Sequence, residues 1–214
     1  MLTKNINFKN FNLKKINKNI RKDLKRLLRE KSVILNSLST SYKNSYSDKN
    51  ISNSKSYKNI RVIGMGGSIL GTKAIYAFLR PKIKKSFEFI SNLEATKIFH
   101  EKDNKYLNLI VSKSGNTLET ISNSNILIKK NDKNIFITEN KVSYLSLLAK
   151  KLKAEVVHHN NFIGGRFSVL SEVGMLPAEL MGFNPKKFKQ LNNLIKNQKF
   201  INSLITNVSN TLFF

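Results

Sequence analysis

The stretch YLNLIVSKSGNTLET, residues 106–120, decides the fold. It opens with Leu107, Leu109, Ile110 and Val111, an apolar run of strand length that reads as buried. The run then breaks into Ser112, Lys113, Ser114, Gly115, Asn116 and Thr117 before the pattern turns helical. A buried strand that ends in a short polar loop and a helix implies a βαβ unit, with a parallel sheet covered on both faces.

The same order repeats on either side. Strands are expected at IRVIG from Ile60, FEFI from Phe87, NIFIT from Asn134 and AEVVH from Ala154. Helices are expected over 68–79, 94–101, 117–129 and 143–152. The last of these carries Leu145, Leu148, Ala149 and Leu152 at i, i+3, i+4 and i+7, a single apolar stripe. Five strands alternating with helices predict an α/β, doubly wound parallel sheet, in which ligands bind beyond the carboxyl ends of the strands.

Ahead of this region, residues 13–38 alternate lysines with Leu24, Leu27, Leu28, Ile34, Leu35 and Leu38, which predicts one amphipathic helix for packing or dimerisation. Residues 39–59 are rich in Ser, Asn and Lys and read as a loop and a boundary. Three regions are therefore expected: a helical segment and loop over 1–56, the sheet domain over 57–183 and a helical segment over 184–214.

The chain has 214 residues, 40% of them hydrophobic, enough to bury a core. It contains no cysteine, which removes disulfides, thiolate metal sites and cysteine nucleophiles, and makes the cytoplasm the expected compartment. Its N-terminus has no continuous apolar stretch of the kind a signal peptide needs, and no later window approaches a membrane span, so no membrane partner is expected. The net charge is +25. Residues 1–60 hold 12 Lys and 3 Arg against 2 Asp and 1 Glu, a surplus of 12, together with 11 Asn. That composition reads as compositional drift, and no aromatic side chains interleave with the basic ones, so no nucleic-acid partner is expected.

Two loops carry chemistry. GMGGSILG, residues 64–71, follows the first strand and opens a helix, where Gly67 and Ser68 suit an anion at the positive end of a helix dipole. A dinucleotide fingerprint would need glycine where Ile69 stands, and a Walker loop would need Gly-Lys-Ser/Thr where Gly71, Thr72 and Lys73 stand. Glycines that merely allow tight helix packing are the remaining alternative. In the second loop Ser112, Lys113, Ser114 and Thr117 gather three hydroxyls and an ammonium around Gly115, with Asn116 and Glu119 spaced as an N-cap and its N3 partner. Such a cluster suits a phosphate monoester. Simple helix capping would explain only part of it.

A third stretch, GGRFSVLSEVGMLPAELMG, residues 164–182, sets Arg166 in a glycine turn, suited to stabilising a developing anion. Taken in order with GMGGSILG and SKSGNTLET, it resembles the glucose-6-phosphate isomerase family, with its Gly-Gly-Ser loop, hydroxyl loop ending Glu-Thr and Gly-Gly-Arg-Phe/Tyr-Ser. The resemblance implies a sugar isomerase domain with flavodoxin-like layering. It also implies reversible conversion of glucose 6-phosphate to fructose 6-phosphate in glycolysis and gluconeogenesis, with no metal or cofactor. It assigns Ser112, Lys113, Ser114 and Thr117 to the phosphate, Gly67 and Ser68 to the sugar, and Arg166 to the enediolate-like intermediate. It further implies a homodimer at full length.

Isomerisation also needs a base. In the family that base lies in the second half, and residues 180–214 here contain no Asp, Glu or His. The chain therefore reads as the front portion of the enzyme, inactive or nearly so alone, with a non-catalytic sugar-phosphate-binding domain as the alternative. Glu119 is expected to cap or orient, and Glu172 and Glu179 to be solvated or structural. His100, His158 and His159 form no ligand pattern and read as ordinary surface or core residues.

Overall fold

The computed structural model of the chain describes residues 18–30, 32–93, 105–129 and 132–212. The five apolar runs form strands β1 (Asn59–Gly64), β2 (Ser86–Ile90), β3 (Tyr106–Val111), β4 (Lys133–Thr138) and β5 (Glu155–His158). They pair in parallel in the order β2-β1-β3-β4-β5. The helix read near residues 94–101 lies outside the described residues.

Successive side chains of a strand point to opposite faces, and both faces of this sheet are apolar. Val62, Leu107, Leu109, Val111, Ile135 and Ile137 pack on one side with Ile75 of α4 (Leu70–Leu79) and with Val173, Met175 and Leu176 of α7 (Glu172–Leu180). Ile63, Ile110 and Phe136 pack on the other with Leu127 of α5 (Leu118–Leu127) and Leu145 and Ala149 of α6 (Tyr144–Lys151). Each Val, Leu, Ile, Phe or Met side chain among them, when fully buried, contributes about 1.5–3 kcal/mol of transfer free energy. The result is the doubly wound α/β fold expected from the strand and helix alternation.

The described residues fall into two compact units. One is Lys43–Phe188, which holds the sheet; the other is drawn from Met1–Tyr42 and Lys189–Phe214. Within the latter, the single helix expected over 13–38 is instead two, α1 (Lys18–Arg29) and α2 (Val33–Ser37). Ser32 breaks it by taking an extended backbone, φ −67° and ψ 132°, as the N-cap of α2. α1 buries none of its residues fully, and Arg21 donates to Asn202 Oδ1 at 3.3 Å on α9 (Gln198–Leu212).

The Ser and Asn-rich stretch is not wholly loop. It contains α3 (Asp48–Ser52), begun where Asn50 Oδ1 accepts from the Ser47 N–H at 2.7 Å. That helix belongs to the larger unit.

Candidate functional site at the sheet switch point

The chain leaves β1 toward β2 on one side and later places β3 on the other. In an open parallel sheet this reversal leaves a crevice beyond the carboxyl ends of the two central strands. Gly64 ends β1 opposite Val111, the end of β3, so the two polar loops emerge side by side.

The loop after β1 makes a 3₁₀ turn over Gly66–Ser68 before α4 begins at Leu70. Ser68 therefore precedes the helix instead of opening it, and its N–H donates to Met65 O at 3.1 Å. Its half-buried side chain lies at the crevice beside Gly64.

The loop after β3 gathers its hydroxyls closely. Ser112 Oγ lies 2.9 Å from Thr117 Oγ1 and 3.5 Å from Ser114 Oγ, and Ser114 Oγ lies 3.5 Å from Thr117 Oγ1. Backbone N–H groups already donate to two of these oxygens, Gly115 to Ser112 at 3.1 Å and Asn116 to Ser114 at 3.2 Å. Acceptor capacity is thus partly filled from behind, while one of three hydroxyl protons suffices for the short Ser112–Thr117 bond. The others can turn toward an anion.

Thr117, and not the expected Asn116, is the N-cap of α5, which leaves Glu119 as the second helical residue. Thr117 makes no side-chain cap to its own helix, so the first-turn N–H groups keep their pull on negative charge. Asn116 serves α6 instead: its Oδ1 accepts from the Tyr144 N–H at 2.9 Å, and Gly115 O accepts from Leu145 N–H at 3.0 Å. Gly115 has φ +67°, and a Cβ there would lie 2.1 Å from Ser143 Oγ, so only glycine lets the loop lean on α6 this way.

Lys113 behaves differently from its hydroxyl neighbours. Its ammonium donates to Asn161 O at 2.8 Å and pairs with Glu139 at 3.3 Å, so it ties the loop to the segment after β5. Glu139 also takes Lys141 at 2.6 Å. Burial alone would raise the Glu139 carboxyl, but Lys141 and Lys113 outweigh it and hold it below the usual range.

Arg166 is exposed on a 3₁₀ turn, Gly165–Leu170. That turn is fixed against the β1 loop by backbone contact. A Cβ on Gly67 would fall 2.3 Å from the Gly165 carbonyl, and Ser168 Oγ donates to Gly67 O at 3.2 Å. The glycines of the two motifs are therefore there partly for packing, with Arg166 carried next to the Ser68 loop as a consequence.

Beneath the turn lies a pair missed in the sequence. His159 and Glu172 are 2% and 0% exposed, with His159 Nδ1 2.9 Å from Glu172 Oε1, which also accepts from Asn160 N–H at 2.8 Å. Glu172 is thus structural and not solvated. Glu179 is half-buried and accepts from the Tyr46 hydroxyl at 3.0 Å. His158 faces solvent, and His100 lies outside the described residues. The signal for the buried pair was weak, because the partners stand thirteen positions apart with a loop between them.

Comparison with known proteins agrees with this architecture. A family model described as phosphoglucose isomerase matches residues 11–208. Glucose-6-phosphate isomerase of Methanocaldococcus jannaschii is 35% identical over 181 residues, covering 74% of this chain and 45% of the relative. That of Mycoplasma genitalium is 34% identical over 152 residues, covering 62% and 35%. The chain spans less than half the length of these relatives. Among solved structures, a hypothetical protein of Thermus thermophilus superposes with TM-score 0.66 at 20% identity, over 88% of this chain and 50% of that one. Tagatose-6-phosphate ketose/aldose isomerase of Escherichia coli superposes with TM-score 0.53 at 13% identity, over 68% and 45%. Two loops converge at the switch point, a third motif packs on the first, and the family match runs through all three: the chain belongs to the phosphoglucose isomerase family.

Proposed function

We propose that this chain binds a hexose 6-phosphate in the switch-point crevice and supplies the phosphate cradle and the arginine of a cytoplasmic glucose-6-phosphate isomerase. The observation that carries this reading is the cluster of Ser112, Ser114 and Thr117 hydroxyls within 3.5 Å of one another at the uncapped start of α5. Hydroxyl and N–H donors to a dianion are charge-assisted and worth about 1.5–3 kcal/mol each. Lys113 braces this cradle from behind, and Gly67 and Ser68 line the sugar end.

Interconversion of an aldose and a ketose moves a proton between C1 and C2 through an enediolate, whose negative charge Arg166 stabilises. The base comes from neither Glu139, held by two lysines, nor Glu172, buried against His159. With those two carboxylates engaged, Glu179 accepting from Tyr46 and no Asp, Glu or His over residues 180–214, the chain alone is expected on this reading to bind substrate and turn it over slowly at most. The occupied state of these two carboxylates also favours a second reading, a sugar-phosphate-binding domain without catalysis. Enzyme-coupled assay of the chain alone and of a longer chain containing it separates the two: turnover by neither supports the second reading.

Calorimetric titration tests the binding. Glucose 6-phosphate should bind more tightly than glucose, and Ser112→Ala with Thr117→Val should weaken the phosphate ester by at least about tenfold while leaving glucose unchanged. Equal losses for both ligands would refute the cradle.

A further inference from the structure

Burying a carboxylate is costly unless donors surround it, and Glu172 lies at the first residue of α7 with no exposed surface. Burial alone would raise its carboxyl, yet the His159 ring and the Asn160 N–H outweigh that and hold it below its usual range. The two donors sit at one end of the segment that carries Arg166, and Glu172 sits at the other. One carboxylate oxygen therefore closes a loop of which Arg166 is near the middle.

That loop is fastened at three further points. His159 N–H donates to Thr138 O at 2.8 Å, anchoring its start to the end of β4. Lys113 donates to Asn161 O, fastening it to the hydroxyl loop. Ser168 Oγ shares its one proton between Gly165 O at 2.7 Å, within the span, and Gly67 O at 3.2 Å, the contact that fastens it to the β1 loop. Ile163, within the span, is fully buried. The exposed Arg166 side chain projects from a span whose ends the carboxylate holds together.

Resting on the sugar-phosphate reading above, we infer that His159 and Glu172 are positioning residues. They fix the span that carries Arg166, and so govern recognition of the C1–C2 end of the ligand and not of its phosphate. Neither residue touches the ligand. Loss of the pair reaches the hydroxyl cradle only through the Lys113–Asn161 bond, while Gly115, Asn116 and the start of α6 still hold the three hydroxyls in place.

An aldonate 6-phosphate provides the probe, since its C1 carboxylate places a negative charge where the enediolate would carry one. The 214-residue chain is titrated calorimetrically with 6-phosphogluconate, gluconate and inorganic phosphate. In Glu172→Gln and, separately, His159→Gln, the affinity for 6-phosphogluconate should fall about tenfold while inorganic phosphate changes less than about twofold. Adding either change to Arg166→Ala should cause no further loss, because the pair acts through the arginine. A purely structural role predicts additive losses, or equal losses for 6-phosphogluconate and inorganic phosphate, and either result overturns the inference. His159→Gln removes the rigid ring that fixes Glu172 and leaves only a flexible amide near the buried carboxylate, so it serves if Glu172→Gln does not fold. Wild-type chain that binds gluconate as well as 6-phosphogluconate overturns the sugar-phosphate reading itself. Wild type that discriminates, with variants that match it, overturns only the role of the pair.

Discussion

Replacing Gly67 with alanine tests whether two backbones in van der Waals contact set the arginine's place. The added Cβ would lie 2.3 Å from both C and O of Gly165, and 2.8 Å from its Cα. Ordinary contact begins at 3.4 Å, so the backbones must separate by 1.1 Å, and backbone atoms cannot swing aside as a side chain can. Overpacking of this kind costs about 1–3 kcal/mol. In a chain of this size each kcal/mol lowers the melting midpoint by about 2–4 °C. The same displacement moves Arg166, and a misplacement of roughly 1 Å can cost about 10²-fold in a step that depends on orientation. Gly164→Ala is the control: on the same span, its Cβ would meet nothing nearer than Phe167 Cδ2 at 3.8 Å, an ordinary contact. Urea unfolding and calorimetric titration with 6-phosphogluconate should show a large loss of both stability and affinity for Gly67→Ala and little change for Gly164→Ala. Wild-type stability and affinity in Gly67→Ala would refute the reasoning.

Other outcomes follow from the same geometry. Gly115→Ala should destabilise the chain by more than about 1 kcal/mol, since it adds left-handed strain to a 2.1 Å clash with Ser143 Oγ; a urea midpoint equal to wild type would contradict this. Glu172 sits below its ordinary value of 4.5, so the unfolded state takes up its proton first as pH falls. Its contribution is present above 4.5 and lost as the pH drops through the folded value, so stability should decline less on acidification in Glu172→Gln than in wild type; parallel declines would be the contrary result. In a longer chain with turnover, Arg166→Ala should lower kcat more than it weakens substrate binding, and an unchanged kcat would remove Arg166 from the reaction.

Strands were legible because their signal is local. The apolar runs in YLNLIV and NIFIT had to be buried on both faces, and Leu145 and Ala149 do enter the core as the helical stripe required. The hydroxyl loop was legible because nothing in a buried strand asks for three hydroxyls at its end. Less visible was how that loop is supported. Asn116 has the composition of an N-cap, yet its Oδ1 reaches the start of α6, twenty-eight residues on, and leaves the cap to Thr117. Lys113 groups with the anion donors by its position in the sequence, whereas its partners, Glu139 and Asn161, follow the ends of two later strands. The His159–Glu172 pair and the Gly67–Gly165 contact are likewise tertiary: each joins segments that periodicity describes separately. α3 could have been read from the Ser47 to Asn50 spacing, a short capping signal obscured by the polar composition around it.

A crystal structure of the chain with glucose 6-phosphate tests the central claim most directly. The phosphate should lie within hydrogen-bond distance of the Ser112, Ser114 and Thr117 hydroxyls and of first-turn N–H groups of α5, with the sugar extending toward Ser68 and Arg166. A phosphate bound away from that loop, or a sugar directed away from Arg166, would contradict it.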